Sequence, residues 1–287
     1  MALQALAGGN DLKPYRSFWH HQSAVAAFLA FKATGKANYK TVAMQNLESA
    51  STTSLGIRSL GEVRAKLMGV PAVQENEVLP IREWFQNVNA LLAEWGIRGN
   101  KFEKQVSEVR ECLKKTDDAK SFERGLCLLG QMLGAKTYRW EGDGAPDGLW
   151  LFEEWHSFVF EAKQEKGKAI SLKTVRQART HEERARKDGL IPAGIKCTTV
   201  VASDQSFLDP LAQPHSPELR RLMPVQVLDI FERVTRALRE VRTLAAATSE
   251  EELQIETDRV YRSESVFFTQ VTAELGEQRL ADLPIGK

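Results

Sequence analysis

The chain has 287 residues, 43% hydrophobic and 27% charged, with 39 Lys+Arg against 38 Asp+Glu. That hydrophobic fraction excludes a disordered chain, and no apolar run approaches the length of a membrane span. The net charge of +1 gives no global sign of a polyanionic partner, but a sum conceals segregation.

Three cysteines, Cys112, Cys127 and Cys197, lie far apart with no C-x-x-C pair. Such a set argues against structural zinc and suits a reducing compartment. Met1 to Asn10 lacks a basic n-region and a long apolar run, so it does not read as a signal peptide. The expectation is a soluble, cytoplasmic protein of about two domains.

Residues 1–117 are expected to form a helical N-terminal domain with a docking or recognition role. Ser23 to Ala33, Leu60 to Met68 and Ile81 to Trp95 carry apolar residues mostly at 3–4 spacing. Lys101 to Lys115 does the same, with Asn100 as its expected N-cap. Trp19, Trp84 and Trp95 read as core. His20-His21 reads as a packed or solvated pair, because no acidic ligand cluster lies nearby.

The pattern changes at Asp117. Asp117 or Asp118 can cap a helix from about Lys120 to Leu133, and Gly134 suits the left-handed position after its end. Lys136 to Trp140 is rich in β formers. Gly148 to Phe152 and Ser157 to Lys163 read as a hairpin. Lys173 to Lys187 reads as a helix, Cys197 to Ala202 as a buried strand and Pro224 to Leu244 as a long helix. Ser249 and Glu252 have the spacing of a capping box. The order over residues 118–287 is α-β-β-β-α-β followed by C-terminal helices, an α/β (α+β) core with a mixed central sheet.

One stretch carries chemistry: Ala145-Pro146-Asp147, then Phe158 to Gln164, F-V-F-E-A-K-Q. Glu161 and Lys163 are two apart on a strand, so their side chains leave the same face. Asp147 begins the partner strand, and pairing can bring its carboxylate beside Glu161. Two carboxylates at a strand end suit Mg²⁺ or Mn²⁺. Such an ion supplies Lewis acidity toward a phosphate oxygen and a more acidic water. A neighbouring lysine can position that water and offset charge on the phosphorus. The tripeptide [DE]-x-K occurs three times, but only the third copy follows an apolar β run and has the chain's sole Pro-Asp 14 residues upstream. The plainer reading is a hairpin with ordinary surface charges.

These residues resemble the PD-(D/E)XK nuclease superfamily, the restriction-endonuclease-like fold, over roughly residues 118–235. The resemblance implies a divalent-metal-dependent nuclease, with Asp147 and Glu161 binding Mg²⁺ (or Mn²⁺) and Lys163 assisting the nucleophilic water. The Ala162 carbonyl is expected to complete the ion's environment. Many members carry a further Glu on the first helix. Glu123 stands there, with a helix-dipole carboxylate as its other reading. Gln177 and His181 are i, i+4 on the following helix, where one exonuclease-like branch has Gln-x-x-x-Tyr. His181 replaces the Tyr. Gln177 is a candidate phosphate or metal-water contact, and His181 is either functional or a partly exposed helix residue.

Nine basic residues between Lys163 and Lys187 face three acidic ones, a net of +6, whereas residues 248–287 sum to −5. Beside a candidate metal site, Lys166, Lys168, Lys173, Arg176, Arg179, His181 and Arg184 are expected to track a phosphate backbone. Without interleaved aromatics the stretch carries no base-stacking signal. The acidic end is expected to be an exposed helical appendage. The function implied is a DNA endonuclease of a restriction or phage-defence type, with RNA left open and a homodimer or larger assembly as partner. The alternative is a non-catalytic nucleic-acid-binding or docking subunit that keeps the fold.

Overall fold

A computed structural model describes residues 13–53, 81–140, 145–163, 169–245 and 249–286. The expected helix over Leu60–Met68 lies outside these residues, as do most of the loop at 141–145 and Lys166 and Lys168. Among the described residues no helix is long and apolar enough to cross a membrane. The chain divides into two compact units: Met1–Glu77 with Arg236–Ser265, and Val78–Thr235 with Val266–Lys287.

The first unit contains α1 (Lys13–Thr34) and α2 (Ala37–Thr53). They pack through Ala24, Ala27, Phe28, Ala43 and Leu47. His20 Nδ1 lies 2.9 Å from Asn46 Oδ1, and His21 is buried. Trp19 is 43% exposed, which corrects its assignment to the core. The same unit holds the last turns of a long helix that begins at Pro224, and α8, described below.

The second unit opens with α3 (Ile81–Trp95), α4 (Lys101–Lys114) and α5 (Ala119–Met132). Asn100 occupies the N-cap of α4 without a side-chain bond. Asp118 caps α5 by accepting from the Ser121 amide. Gly134 follows α5 with φ +84°, a conformation that L side chains rarely adopt. Then come β1 (Lys136–Tyr138), β2 (Gly148–Phe152), β3 (His156–Ala162), β4 (Ala169–Ile170), α6 (Leu172–Lys187), β5 (Lys196–Ala202), β6 (Phe207–Leu208) and β7 (Arg220–Leu222). The expected α-β-β-β-α-β order is present, with three short strands added. After β7 run α7 (Pro224–Leu244), α8 (Glu250–Ser263) and α9 (Phe268–Glu277).

The main sheet has the order β1-β2-β3-β5-β7. Its first two pairings are antiparallel and its last two parallel. Strands β2 and β3 are buried along their whole length, because helices cover both faces. On one face Trp150 packs against Phe160 in a tilted arrangement, with ring centroids 4.6 Å apart, and its indole N–H donates to Leu126 O of α5 at 2.9 Å. Helix α5 comes so close there that a Cβ on Gly130 would meet Trp150 at 2.4 Å. On the other face Leu149 and Val159 pack on Ala185 of α6. Parallel neighbours require a crossover, and α6 supplies it between β3 and β5.

Two expectations are corrected. The domain boundary is not at 117/118, because α3 and α4 belong with the sheet. Trp84 of α3 donates to Leu133 O at 2.8 Å, and Leu113 of α4 fills the space over Gly125 of α5. Nor is the acidic end an appendage. Leu253, Val260 and Tyr261 of α8 are buried, and Arg259 pairs with Glu240 at 3.3 Å and Glu256 at 2.8 Å. The stretch Val266-Phe267-Phe268 is fully buried in the second unit, where Phe267 lies 4.9 Å from Trp84.

Candidate metal and phosphate site

The site is set by the β2–β3 register. Gly148 faces Phe160, and the Asp147 amide donates to Phe160 O at 2.9 Å. Asp147 therefore stands opposite the Glu161 end of β3. Strand alternation puts Asp147, Leu149, Val159 and Glu161 on one face, the face that α6 covers. One Asp147 oxygen, Oδ2, accepts the Ala162 amide at 2.6 Å. In a strand the N–H and C=O of one residue point to the same neighbour, so the Ala162 carbonyl leaves β3 on the Asp147 side.

Glu161 is fully buried. Its Oε2 is bonded to His181 Nε2. Its Oε1 lies 3.2 Å from Lys163 Nζ but has no hydrogen bond. The contact is an ion pair, and a carboxylate oxygen so engaged still has a lone pair to offer a cation. Asp147 is pushed up to about 6, first by burial and then by the Glu161 charge, against the opposing bond from the Ala162 amide. Burial works against the Lys163 ammonium, but the Glu161 charge, with Asp147 and Glu123 beyond it, holds its pKa above the ordinary value.

Ala162 and Lys163 also line a cleft of about 170 Å³ together with Phe122, Glu123, Ala202 and Pro224. It opens at the carboxyl ends of the parallel strands β3 and β5, where α/β sheets commonly take their ligands. Glu123 reaches this end from α5, on the opposite face. It is engaged by Arg139 at 3.0 Å, so its carboxylate is turned to a guanidinium as well as toward the cleft. Arg139 is the residue that sequence reasoning missed. It lies one position past β1, and no spacing links it to Glu123.

The structure brings together Asp147, Glu161, Ala162 and Lys163, with Glu123 at the rim. Gln177 is half-buried one turn before His181, and its side chain makes no hydrogen bond to Asp147 or Glu161. His181 is 0% exposed, which corrects its place among the backbone-contacting residues. It lies on the apolar face of α6 with Val175, Ala178 and Ala185. Lys173, Arg176 and Arg179 are exposed on α6. Arg184 is exposed too but pairs with Asp188 at 2.9 Å, and Arg186 pairs with Glu182 at 2.8 Å. The basic track is therefore concentrated in the first half of α6. That half lies at the end where β3 finishes, because a crossover helix runs back along the strands it joins.

Among the described residues no group of three or more His, Cys, Asp or Glu is arranged to hold a metal ion. The two carboxylates and one carbonyl still fit a magnesium-like ion, which commonly keeps several waters and is held by one or two carboxylates plus substrate phosphates. The buried Glu161 Oε1, which makes no hydrogen bond, and the raised Asp147 fit it as well. Two carboxylates face the single Lys163 ammonium here, so a cation would balance the second charge. Comparison with known proteins returns no matching family model, no curated relative and no solved structure of significant similarity.

Proposed function

We propose that this chain is a divalent-metal-dependent nuclease of the PD-(D/E)XK type, cleaving DNA phosphodiester bonds as an endonuclease. The observation that carries the reading is the meeting of Asp147 and Glu161 from adjacent strands, beside Lys163, with Glu161 Oε1 buried and engaged only by the Lys163 ion pair. The mixed sheet with β1–β3 antiparallel and β3, β5 and β7 parallel supports a restriction-endonuclease-like core. So does the crossover by α6.

Asp147, Glu161 and the Ala162 carbonyl would hold Mg²⁺ or Mn²⁺. When bound, the ion supplies Lewis acidity toward a phosphate oxygen and a more acidic water. Lys163 is partly exposed and reaches the cleft from the same strand. Its ammonium orients the attacking water and offsets charge that builds on the phosphorus. Lys173, Arg176 and Arg179 hold the backbone of the nucleic acid. They contribute affinity and position without sequence information. The burial of Glu161 keeps bulk water from screening these interactions.

The test is incubation of the full chain with supercoiled plasmid, linear duplex, single-stranded DNA and RNA in Mg²⁺ or Mn²⁺. Nicked or linear plasmid is expected with metal and not with EDTA, and not from Glu161→Gln or Lys163→Met. Four intact substrates would refute the enzyme. If the intact DNA were nonetheless shifted on a gel in a salt-dependent way, and equally by Glu161→Gln, the non-catalytic binding subunit would replace it.

A further inference from the structure

Helix α6 places a titratable side chain, His181, in its buried face and aims it at Glu161. The pair is fully buried on both sides, and Nε2 and Oε2 are bonded. The other ring nitrogen, Nδ1, is buried and has no hydrogen-bond partner. Burying an imidazole against a carboxylate costs stability unless the contact is a true hydrogen bond. That condition fixes the proton. With the proton on Nδ1 alone, a buried N–H would be orphaned, and the Nε2 lone pair would face the lone pairs of Oε2. With the proton on Nε2, the contact becomes a donated bond to a charged acceptor. Ring-proton placement is thus assigned from the bonding pattern.

We infer that His181 is the positioning residue of the site: its Nε2–H holds Glu161 Oε2, locks the carboxylate's rotation and thereby presents Oε1 to the divalent cation. The inference rests on the proposed metal site. The geometry behind it is independent of the Asp147 contact, because His181 comes from α6 and Asp147 from β2. Oε2 is occupied by the imidazole, whereas Oε1 makes no hydrogen bond and only the ion pair with Lys163 at 3.2 Å, so Oε1 is the oxygen left to face a cation. A buried acid without such a partner would rotate to compromise between Lys163 and the ion. Groups that hydrogen-bond a ligating side chain commonly contribute about 10–100-fold to metal affinity. His181 touches neither ion nor substrate in this arrangement and acts only through Glu161.

The experiment is calorimetric titration of Mn²⁺ into the full chain, compared with His181→Phe and His181→Gln. Phe keeps the ring and removes the donor, whereas Gln keeps an N–H donor on a side chain of similar reach. Manganese affinity should fall about 10–100-fold in His181→Phe and recover most of the way in His181→Gln. Equal affinity in the Phe variant and the wild type, with wild-type binding intact, overturns the positioning role and leaves the metal site standing. A wild type that binds no Mn²⁺ overturns both. Long-range ¹H–¹⁵N correlation spectra of the wild type give a second readout that needs no variant to fold. The His181 proton should sit on Nε2, and a proton on Nδ1 alone overturns the inference.

Discussion

Replacing Asp147 by Asn should make the metal-free protein more stable at neutral pH. The native Asp147 titrates at about 6, against 3.8 for the unperturbed group. Between those values the folded chain binds more protons than the unfolded one, so stability falls as pH rises through that window. The cost is absent below about pH 4 and complete above about pH 6. Two pH units at about 1.36 kcal/mol each set an upper figure of about 3 kcal/mol, and partial solvent access trims it to about 1–3 kcal/mol. Asn removes the charge and still offers an amide oxygen to the Ala162 N–H, which now donates to Asp147 Oδ2 at 2.6 Å. The assay is urea unfolding in EDTA at pH 4, 5, 6, 7 and 8, read by tryptophan fluorescence. The variant should match the wild type at pH 4 and exceed it at pH 7. Millimolar Mg²⁺ should stabilise the wild type and narrow the gap, since a ligand of the native state shifts unfolding by mass action. A variant less stable than the wild type at pH 7, or a gap that is constant from pH 4 to 8, would falsify the claim that burial and the Glu161 charge raise Asp147.

Other expectations follow from the same geometry. Lys163→Met should lower the cleavage rate by about 10²–10³-fold, with a smaller effect on DNA affinity, measured in single-turnover reactions. Glu123→Gln should cost far less than Glu161→Gln in the same reactions, because Arg139 already engages Glu123 at 3.0 Å. Equal losses would make Glu123 a full ligand. Arg176→Ala should weaken duplex binding across sequences and lower the slope of log affinity against log salt by about 1, whereas Arg184→Ala, already paired with Asp188, should change it less. Gly130→Ala should destabilise the fold by about 1–3 kcal/mol, since the added methyl meets Trp150 at 2.4 Å. On an open helix face the same change would stabilise by up to about 1 kcal/mol, so the sign seen in thermal unfolding decides whether α5 is packed that tightly on β2.

Elements whose burial follows from local pattern were readable from sequence. Helices α3 and α7 begin and end at the residues where their 3–4 apolar spacing begins and ends. Strand β2 matches its apolar run, and β3 departs from its run by one residue at each end. The capping box at Ser249 and Glu252 is present. Strand β7 was invisible because Arg-Arg-Leu has no apolar alternation. It is held by the backbone, through β5 on one side and by the Arg221 amide donating to Gln278 O at 2.9 Å on the other. The placement of α3 and α4 was lost for a similar reason, since the Trp84–Leu133 bond spans 49 residues. In the site, the meeting of Asp147, Glu161 and Lys163 is legible in the sequence because hairpin register is a local property. His181 could have been placed inside. Val175, Ala178 and Ala185 share its helical face, and the basic residues Lys173, Arg176 and Arg179 lie on the exposed side of the helix. The Glu123–Arg139 pair has no local signature, because its partners are 16 residues apart and meet only once the first strand packs back against α5.

The central claim is that Asp147 and Glu161 hold the cation that drives hydrolysis. Replacing Mg²⁺ by Fe²⁺ and adding ascorbate and peroxide generates radicals at the bound ion, and mass spectrometry of the fragments locates the backbone cuts. Cuts beside Asp147 and beside Glu161–Ala162, both suppressed by excess Mg²⁺, are the predicted result. Cuts confined to other segments, or none at these two strands, would contradict it.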